Sequence, residues 1–283
     1  MCDYIRINLY NILILFNIMD NITIGYLSWK RHAIFNQTLT SHTLNGLFDI
    51  IKPENRYIYF QEFSKDDLNL ANVFHCNYFG NNTNIGILNA FIQLVSKCET
   101  EYFIFAENDW YLQENKETTI KILEDCTELL KNNLADIIRL RHRQNPGIPL
   151  WSRPADPQQW LTQNISGFPY KLESLSWIDD PSIVYNNTFS EIQYKYKWYI
   201  TSLDHQQWSN NIFIANTSYL KEVILPIITF FSENNNKYAG LENILINYKN
   251  YAGITDVLDD AIHLFHKTKI AGGEGLFTHK DFI

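Results

Sequence analysis

The sequence predicts an α/β protein, a three-layer sandwich in which helices cover both faces of a mostly parallel sheet. Three observations carry this reading. From Ile22 to Arg141, apolar runs of strand length alternate with stretches of helical periodicity. One run, Tyr102–Ala106 (YFIFA), is apolar without alternation, as expected of a strand buried on both faces. Hydrophobic residues make up 46% of the 283 and charged residues 19%, which supports a large core and excludes a disordered chain. One elaborated domain is expected at this length, spanning 21–283 after an apolar leader at 1–20.

The elements follow in order. In the leader, Leu9–Met19 is apolar but broken by Asn11 and Asn17. A spanning helix needs about 20 apolar residues. Arg6 precedes the run, but no small-residue cleavage site follows it. The expectation is a soluble protein without a stable transmembrane segment, in the cytoplasm or against a virion or membrane surface. A signal or anchor remnant is the alternative. Ile22–Leu27 (ITIGYL) reads as the first strand and ends at the polar cluster Ser28–His32. A helix is expected from Ile34 to Ile51. Arg56–Phe63 (RYIYFQEF) is rich in β-branched and aromatic residues and reads as a strand; Phe74–Phe79 is a weaker one. In Gly86–Cys98, Ile87, Ala90, Phe91, Leu94 and Val95 recur at helical spacing. After the Tyr102–Ala106 strand, Glu114–Asn132 is an amphipathic helix and Ala135–Leu140 a strand.

Residues 142–200 hold six of the eight prolines and four of the seven tryptophans, with weak periodicity. That composition predicts a loop-rich lobe laid over the sheet. Regular structure resumes with a strand at Ile212–Asn216, a helix near Leu220–Phe231 and another near Leu241–Tyr251. The tail carries Gly272, Gly273 and Gly275, which suggest a flexible flap anchored by Leu276 and Phe277.

Charge and cysteine usage narrow the function. The net charge of −8 argues against a nucleic-acid binder. Cys2, Cys76, Cys98 and Cys126 form no CxxC pair, so a zinc knuckle or redox motif is not expected. Asn (31) and Ile (36) are so frequent that the six sequons are close to chance. The bias points to an AT-rich genome, with a viral one among the candidates.

The most informative segment is Glu101–Leu112 (EYFIFAENDWYL). Glu107 and Asp109 stand one residue apart where a buried strand ends, the place where open α/β sheets bind ligands. Carboxylates at that spacing can share one hard divalent cation, which also binds phosphate oxygens. Arg139, Arg141 and Arg143 alternate at another strand end, either toward a phosphate or along a solvated edge. Trp151, Trp160, Trp177, Trp198 and Trp208, with Tyr170, Tyr185 and Tyr199, suit either the core of the lobe or a sugar-binding cleft.

Glu107-Asn108-Asp109 resembles the Asp-x-Asp region of glycosyltransferases with the GT-A fold, especially family-2-like members. Other segments fall in the family's order. ITIGYLSWKRH resembles the first strand, whose end packs on the nucleobase. Ile58–Asp66 (IYFQEFSKD) resembles the second strand, with Gln61-Glu62-Phe63-Ser64 in the places of Asp-Asp-x-Ser. Asn84-Ile85-Gly86, with Asn89 following, resembles the Asn-x-Gly that opens the next helix. Ala239–Asn243 (AGLEN) resembles the x-Glu-Asp motif, and Gly275–His279 (GLFTH) the C-terminal histidine element. The sequence departs from the family in carrying Glu107, Gln61 and Asn243 where acidic Asp residues are usual.

The resemblance implies a Rossmann-like, mostly parallel sheet with a nucleotide-sugar half (21–141) and an acceptor half with the tail (142–283). It implies transfer of a sugar from a nucleoside-diphosphate sugar to a hydroxyl of a glycan or protein, with inversion and with Mn²⁺ or Mg²⁺. It places Asp109, Glu107 and His279 at the metal, with His263 and His266 as competitors for the histidine. It places Ser28, Glu62, Asn84, Gly86, Glu107, Asn108 and Arg141 at the donor. Glu242 is the implied catalytic base, and it equally suits the first turn of a helix. Two other classes stay open: an inactive GT-A domain that binds glycans or partners, and a sugar nucleotidyltransferase. The latter normally has a glycine-rich loop after the first strand, and SWKRH has no glycine.

Overall fold

The computed structural model describes residues 20–145, 180–185, 187–203, 208–234, 240–241, 244–245 and 254–279. The first strands are β1 (Ile22–Trp29), β2 (Arg56–Gln61), β3 (Asn77–Asn81), β4 (Tyr102–Glu107) and β5 (Trp110–Leu112). The others are β6 (Ile137–Arg141), β7 (Ser190–Gln193), β8 (Lys197–Ser202), β9 (Phe213–Asn216) and β10 (Lys269–His279). They form one mixed sheet in the order β3-β2-β1-β4-β9-β6-β10-β8-β7, with β5 paired to β10. This is the α/β sandwich the sequence predicts.

Side-chain alternation explains the three layers. In β4, Tyr102, Ile104 and Ala106 face one hydrophobic cluster, while Phe103 and Phe105 face the other. The first cluster is closed by α1 (His32–Leu44), α2 (Leu47–Ile50), α3 (Lys65–Val73) and α5 (Lys116–Lys131). The second is closed by α4 (Gly86–Lys97), by a helical run through α7 (Thr217–Tyr219), a π turn at Leu220–Ile224 and α8 (Leu225–Asn234), and by α9 (Ile254–His266). A strand sandwiched between helices has no solvent face, which is why YFIFA shows no alternation. None of the described helices is long and apolar enough to cross a membrane.

Several elements differ from the sequence expectation. The helix expected over Ile34–Ile51 breaks at Gly46, whose φ of 80° is open to glycine and ends α1. Helix α3 was not expected, although its signal was local: Ser64 and Asp67 form a reciprocal capping box. In α4 the buried face holds Leu88 with Ala90, Phe91, Leu94 and Val95, and Ile87 is only partly buried. Within 142–200, α6 (Pro181–Val184) and the β7–β8 hairpin are regular structure. The buried Asp125 carboxylate of α5 pins that hairpin, accepting hydrogen bonds from Lys195 N–H, Tyr196 N–H and Trp198 Nε1. Helix α9 was also missed. Of the helix expected at Leu241–Tyr251, only residues 241, 244 and 245 are described, and they are helical.

The largest correction concerns the tail. Residues through His279 are not a flap but strand β10, parallel to β6 and antiparallel to β8. Gly273 and Gly275 serve close approach, not flexibility. A Cβ at Gly275 would lie 1.9 Å from the Arg141 carbonyl oxygen and 2.7 Å from that of Leu140. The β6–β10 register shifts between Gly272 and Phe277, a bulge that brings the two backbones together. Gly275→Ala should therefore cost roughly 3 kcal/mol, since backbone must move to admit the methyl. A thermal melt should show a midpoint lower by about 6 °C or more; an unchanged midpoint would show that the bulge yields freely.

Candidate functional site

Strand direction decides what can meet. β1 is parallel to β2 and β4. β9 runs antiparallel to both β4 and β6, so β6 points the same way as β4, and β10 follows β6. The carboxyl ends of β1, β2, β4, β6 and β10 therefore share one edge of the sheet. That edge carries Ser28, Glu62, Glu107–Asp109, Arg141 and His279. His263 and His266 end α9, just before β10 begins, and so lie toward the opposite edge.

Asp109 is the centre of the arrangement. After β4 the chain turns and returns as β5, whose Trp110 pairs with His279 and whose Leu112 pairs with Phe277. This pairing brings His279 Nε2 to 3.2 Å from Asp109 Oδ2. Arg31 Nη1 donates to the same oxygen at 3.0 Å. The Asp109 side chain is only 8% exposed, and its Oδ1 is buried with no hydrogen-bond partner among the described residues. Glu107, at the end of β4, is partly buried and adjoins this turn.

Trp110 supports the cluster from beneath. Its ring meets the His279 ring edge-on at 5.1 Å, and the Arg141 guanidinium lies 4.9 Å from its centre. The Trp110 carbonyl accepts a hydrogen bond from His42 Nε2 at 2.9 Å. A carbonyl can only accept, so that nitrogen carries the proton, and His42 Nδ1 accepts from the Tyr26 hydroxyl at 2.6 Å. Burial pushes His42 down to about 4 and Tyr26 up, so both stay neutral and anchor β5 to α1.

The remaining donor candidates fall into two groups. Asn108 and Ser28 are buried and join the ends of β4 and β1. Asn108 Nδ2 donates to Ser28 Oγ at 3.4 Å and to the Lys30 carbonyl at 3.3 Å, while its own carbonyl accepts from Thr38 Oγ1 at 3.0 Å. Asn84 and Gly86 shape the start of α4. Gly86 takes a φ of 81°, and its N–H is accepted by Asn84 Oδ1 at 2.8 Å and by Gln61 Oε1 at 3.0 Å. Gln61 Oε1 also accepts from the Ile85 N–H at 2.8 Å, so it is engaged with the backbone of the helix start.

Glu62 is partly exposed, 2.5 Å from Lys30 Nζ, and that ammonium holds its carboxyl below the usual range. Lys30 also lies 5.2 Å from the centre of the exposed Trp29 ring. Lys30, Arg31 and Glu62 all have φ between 52° and 59°. Left-handed backbone costs a residue with a side chain roughly 1–2 kcal/mol. Three such residues at one strand edge mark a locally strained site of the kind that clusters where ligands bind.

Each of the three arginines has contacts within the fold. Arg139 Nη1 donates to the carbonyls of Ser209 and Asn211, Arg141 covers Trp110, and Arg143 lies 5.0 Å from the Tyr199 ring centre. Trp198, Trp208 and Tyr199 are buried in the core. Trp151, Trp160, Trp177 and Tyr170 lie outside the described residues, as do Glu242 and Asn243. The sequence alone does not single out Lys30 and Arg31, which the structure places against Glu62 and Asp109; the available signal is a basic pair directly after a strand.

A divalent cation in a nucleotide site is commonly held by one or two carboxylates plus substrate phosphates. Asp109 and His279 offer two donors 3.2 Å apart, and the Asp109 Oδ1 lone pairs are otherwise unused among the described residues. No group of three or more His, Cys, Asp or Glu side chains among the described residues could hold a metal by itself. The donor set thus fits a cation shared with a diphosphate and does not fit an all-protein cage.

No family model matches the sequence, and no curated protein matches it. Solved structures do. A structure of S. aureus TarS residues 1–349 aligns with a TM-score of 0.50 at 13% identity, covering 92% of this chain and 60% of that one. A longer TarS structure gives 0.53 at 10% identity, covering 92% and 36%. TarS 1–349 in complex with UDP gives 0.51 at 13% identity, covering 91% and 60%. This chain thus spans less than two thirds of each. At such low identity the likeness speaks to architecture alone. Together with the shared edge of parallel strand ends, it shows that the chain has the GT-A fold its motif order resembles.

Proposed function

We propose that this chain transfers a sugar from a nucleoside-diphosphate sugar to a hydroxyl group of a glycan or protein, with inversion and with the help of Mn²⁺ or Mg²⁺. The observation that carries the proposal is the Asp109 carboxylate. It is nearly buried where β4 ends and is met by Arg31 from the end of β1 and His279 from the end of β10. Such a carboxylate, between a guanidinium and an imidazole, suits a diphosphate and its counter-ion. The proposed division of labour is a donor half at 21–141 and an acceptor half at 142–283.

Asp109 and His279 would hold the cation, with Glu107 beside them. When bound, it would neutralise charge on the leaving diphosphate. The chain's own groups do the rest. The strained Lys30–Arg31 turn presents two cations toward the donor. Ser28 and Asn108 fix the distance between the ends of β1 and β4, and Glu62 lies where the resemblance places a nucleoside contact. The acceptor oxygen forms a bond to the anomeric carbon as the bond to the diphosphate oxygen breaks and its electron pair leaves with that oxygen. The acceptor's proton passes to the Glu242 carboxylate.

The test is incubation with UDP- and GDP-sugars, and with CMP-sugars as a monophosphate control expected to be inert, with Mn²⁺ or with EDTA. UDP-sugars come first, because TarS has been solved with UDP. The expected result is metal-dependent release of one nucleotide and a melting point raised by that donor. At 100 times its Kd the donor should add about 2.7 kcal/mol of stability. No shift and no release with any donor would overturn the proposal. Glu242→Gln should retain donor binding and lower turnover by about 10²–10⁴-fold. If donor affinity collapsed instead, Glu242 would belong to the donor site or to the fold.

A further inference from the structure

We propose that Arg31 is an exchangeable counter-ion, which neutralises Asp109 in the ligand-free chain and moves to the donor diphosphate when a divalent cation takes its place. The inference rests on the reading of Asp109 as a metal ligand and goes beyond it by giving Arg31 a role in ligand entry.

Three features of the site support it. The two partners of the ion pair are unequally buried, with Arg31 50% exposed and Asp109 8%. Arg31 can leave into water at little cost, whereas Asp109 left alone would be a buried, uncompensated charge. Departure of the guanidinium therefore requires another cation at the carboxylate.

Both Arg31 and His279 use Asp109 Oδ2, while Oδ1 is buried with no hydrogen-bond partner among the described residues. The carboxylate is thus only half used by the protein's own donors. A cation that bound Oδ1 and Oδ2 together would compete directly with the guanidinium.

Arg31 is also placed to reach an anion beside Asp109. It sits at φ 59° as the residue before α1, a helix of 13 residues with no side-chain cap. Lys30, at φ 55°, precedes it and is held by Glu62. A guanidinium at an uncapped helix start, next to a second cation, is well disposed to take phosphate oxygens.

The test compares wild type, Arg31→Gln, Arg31→Lys and Asp109→Asn by isothermal titration with Mn²⁺ alone and with UDP in the presence of Mn²⁺. The two readouts should move in opposite directions in Arg31→Gln. Mn²⁺ alone should bind about tenfold more tightly because its competitor is gone, and UDP with Mn²⁺ about tenfold more weakly because a phosphate contact is lost. Arg31→Lys should lie between Arg31→Gln and wild type on both, and Asp109→Asn should lose Mn²⁺ binding. If Asp109→Asn loses Mn²⁺ while Arg31→Gln binds Mn²⁺ as wild type does or more weakly, the exchange is overturned and the metal reading stands. If Asp109→Asn binds Mn²⁺ like wild type, both are overturned; if no protein binds Mn²⁺ alone, the exchange is overturned, and the metal reading falls with it only if UDP binding is also independent of Mn²⁺. A UDP affinity that is independent of Mn²⁺ yet lost in Arg31→Gln would make Arg31 a permanent phosphate ligand and would also overturn the exchange. Melting curves of each variant separate these outcomes from loss of fold.

Discussion

Asp109→Ala should transfer sugar at about a thousandth of the wild-type rate, the scale expected when a main electrostatic element of a transfer site is removed. The fold should survive. Among the described residues the Asp109 carboxylate receives no backbone hydrogen bond; its partners are the half-exposed Arg31 and the His279 ring. Removing it frees Arg31 into solvent. Single-turnover assays with a labelled donor, read beside a melting curve, check both parts. The expected midpoint lies within about 4 °C of wild type, equivalent to roughly 1 kcal/mol at this size. Near-normal turnover in a folded variant would remove Asp109 from the site.

Deleting residues 275–283 should leave no folded protein. Leu276 and Phe277 are fully buried. The Leu276 carbonyl accepts from Gln113 N–H at 2.9 Å and that of Phe277 from His142 N–H at 2.8 Å, so the segment ties β5 and the end of β6 together. Losing a buried Leu and a buried Phe costs about 5–10 kcal/mol on core-truncation scales, comparable to the whole stability of a typical domain. Circular dichroism and size exclusion should show an unfolded or aggregated chain. A monodisperse truncation with a cooperative melt would contradict the placement of β10. His279→Ala separates chemistry from scaffold. It should fold, because the His279 side chain lies at the strand end with 16% exposure, and it should bind UDP with Mn²⁺ about 10–100-fold more weakly.

Much of the candidate site was legible because its residues stand at ends of segments. Glu107 and Asp109 follow directly on an apolar run, and Gly86 opens a helix. Arg31 was not legible as a partner of Asp109, because 78 positions separate the two and neither carries a mark of the other. The roles of Ser28 and Asn108 were also hidden. Both are polar residues at strand ends, and only their mutual contact shows that they connect β1 to β4 from within. Helix α3 is a different case: its Ser64–Asp67 capping box was local and could have been read.

The sequence by itself determined most of the alternation of strands and helices through Arg141, without α3 and β5, and the double-sided burial of β4. It also determined the acidic strand end. These are local properties, since the period of apolar residues records which faces of one segment leave water. Only the tertiary structure decided that β9 inserts antiparallel between β4 and β6, that β5 turns back onto β10, and that the glycine-rich tail is an interior strand. Strand pairing is set by backbone partners far apart in the chain, and a glycine selected for close approach looks the same in sequence as one selected for flexibility. The 1.9 Å between a Cβ at Gly275 and the Arg141 carbonyl oxygen exists only once β6 lies alongside. The meeting of Arg31, Asp109 and His279 follows from the same cause, because His279 reaches Asp109 only when β5 turns back onto β10, and Arg31 only when β1 lies beside β4.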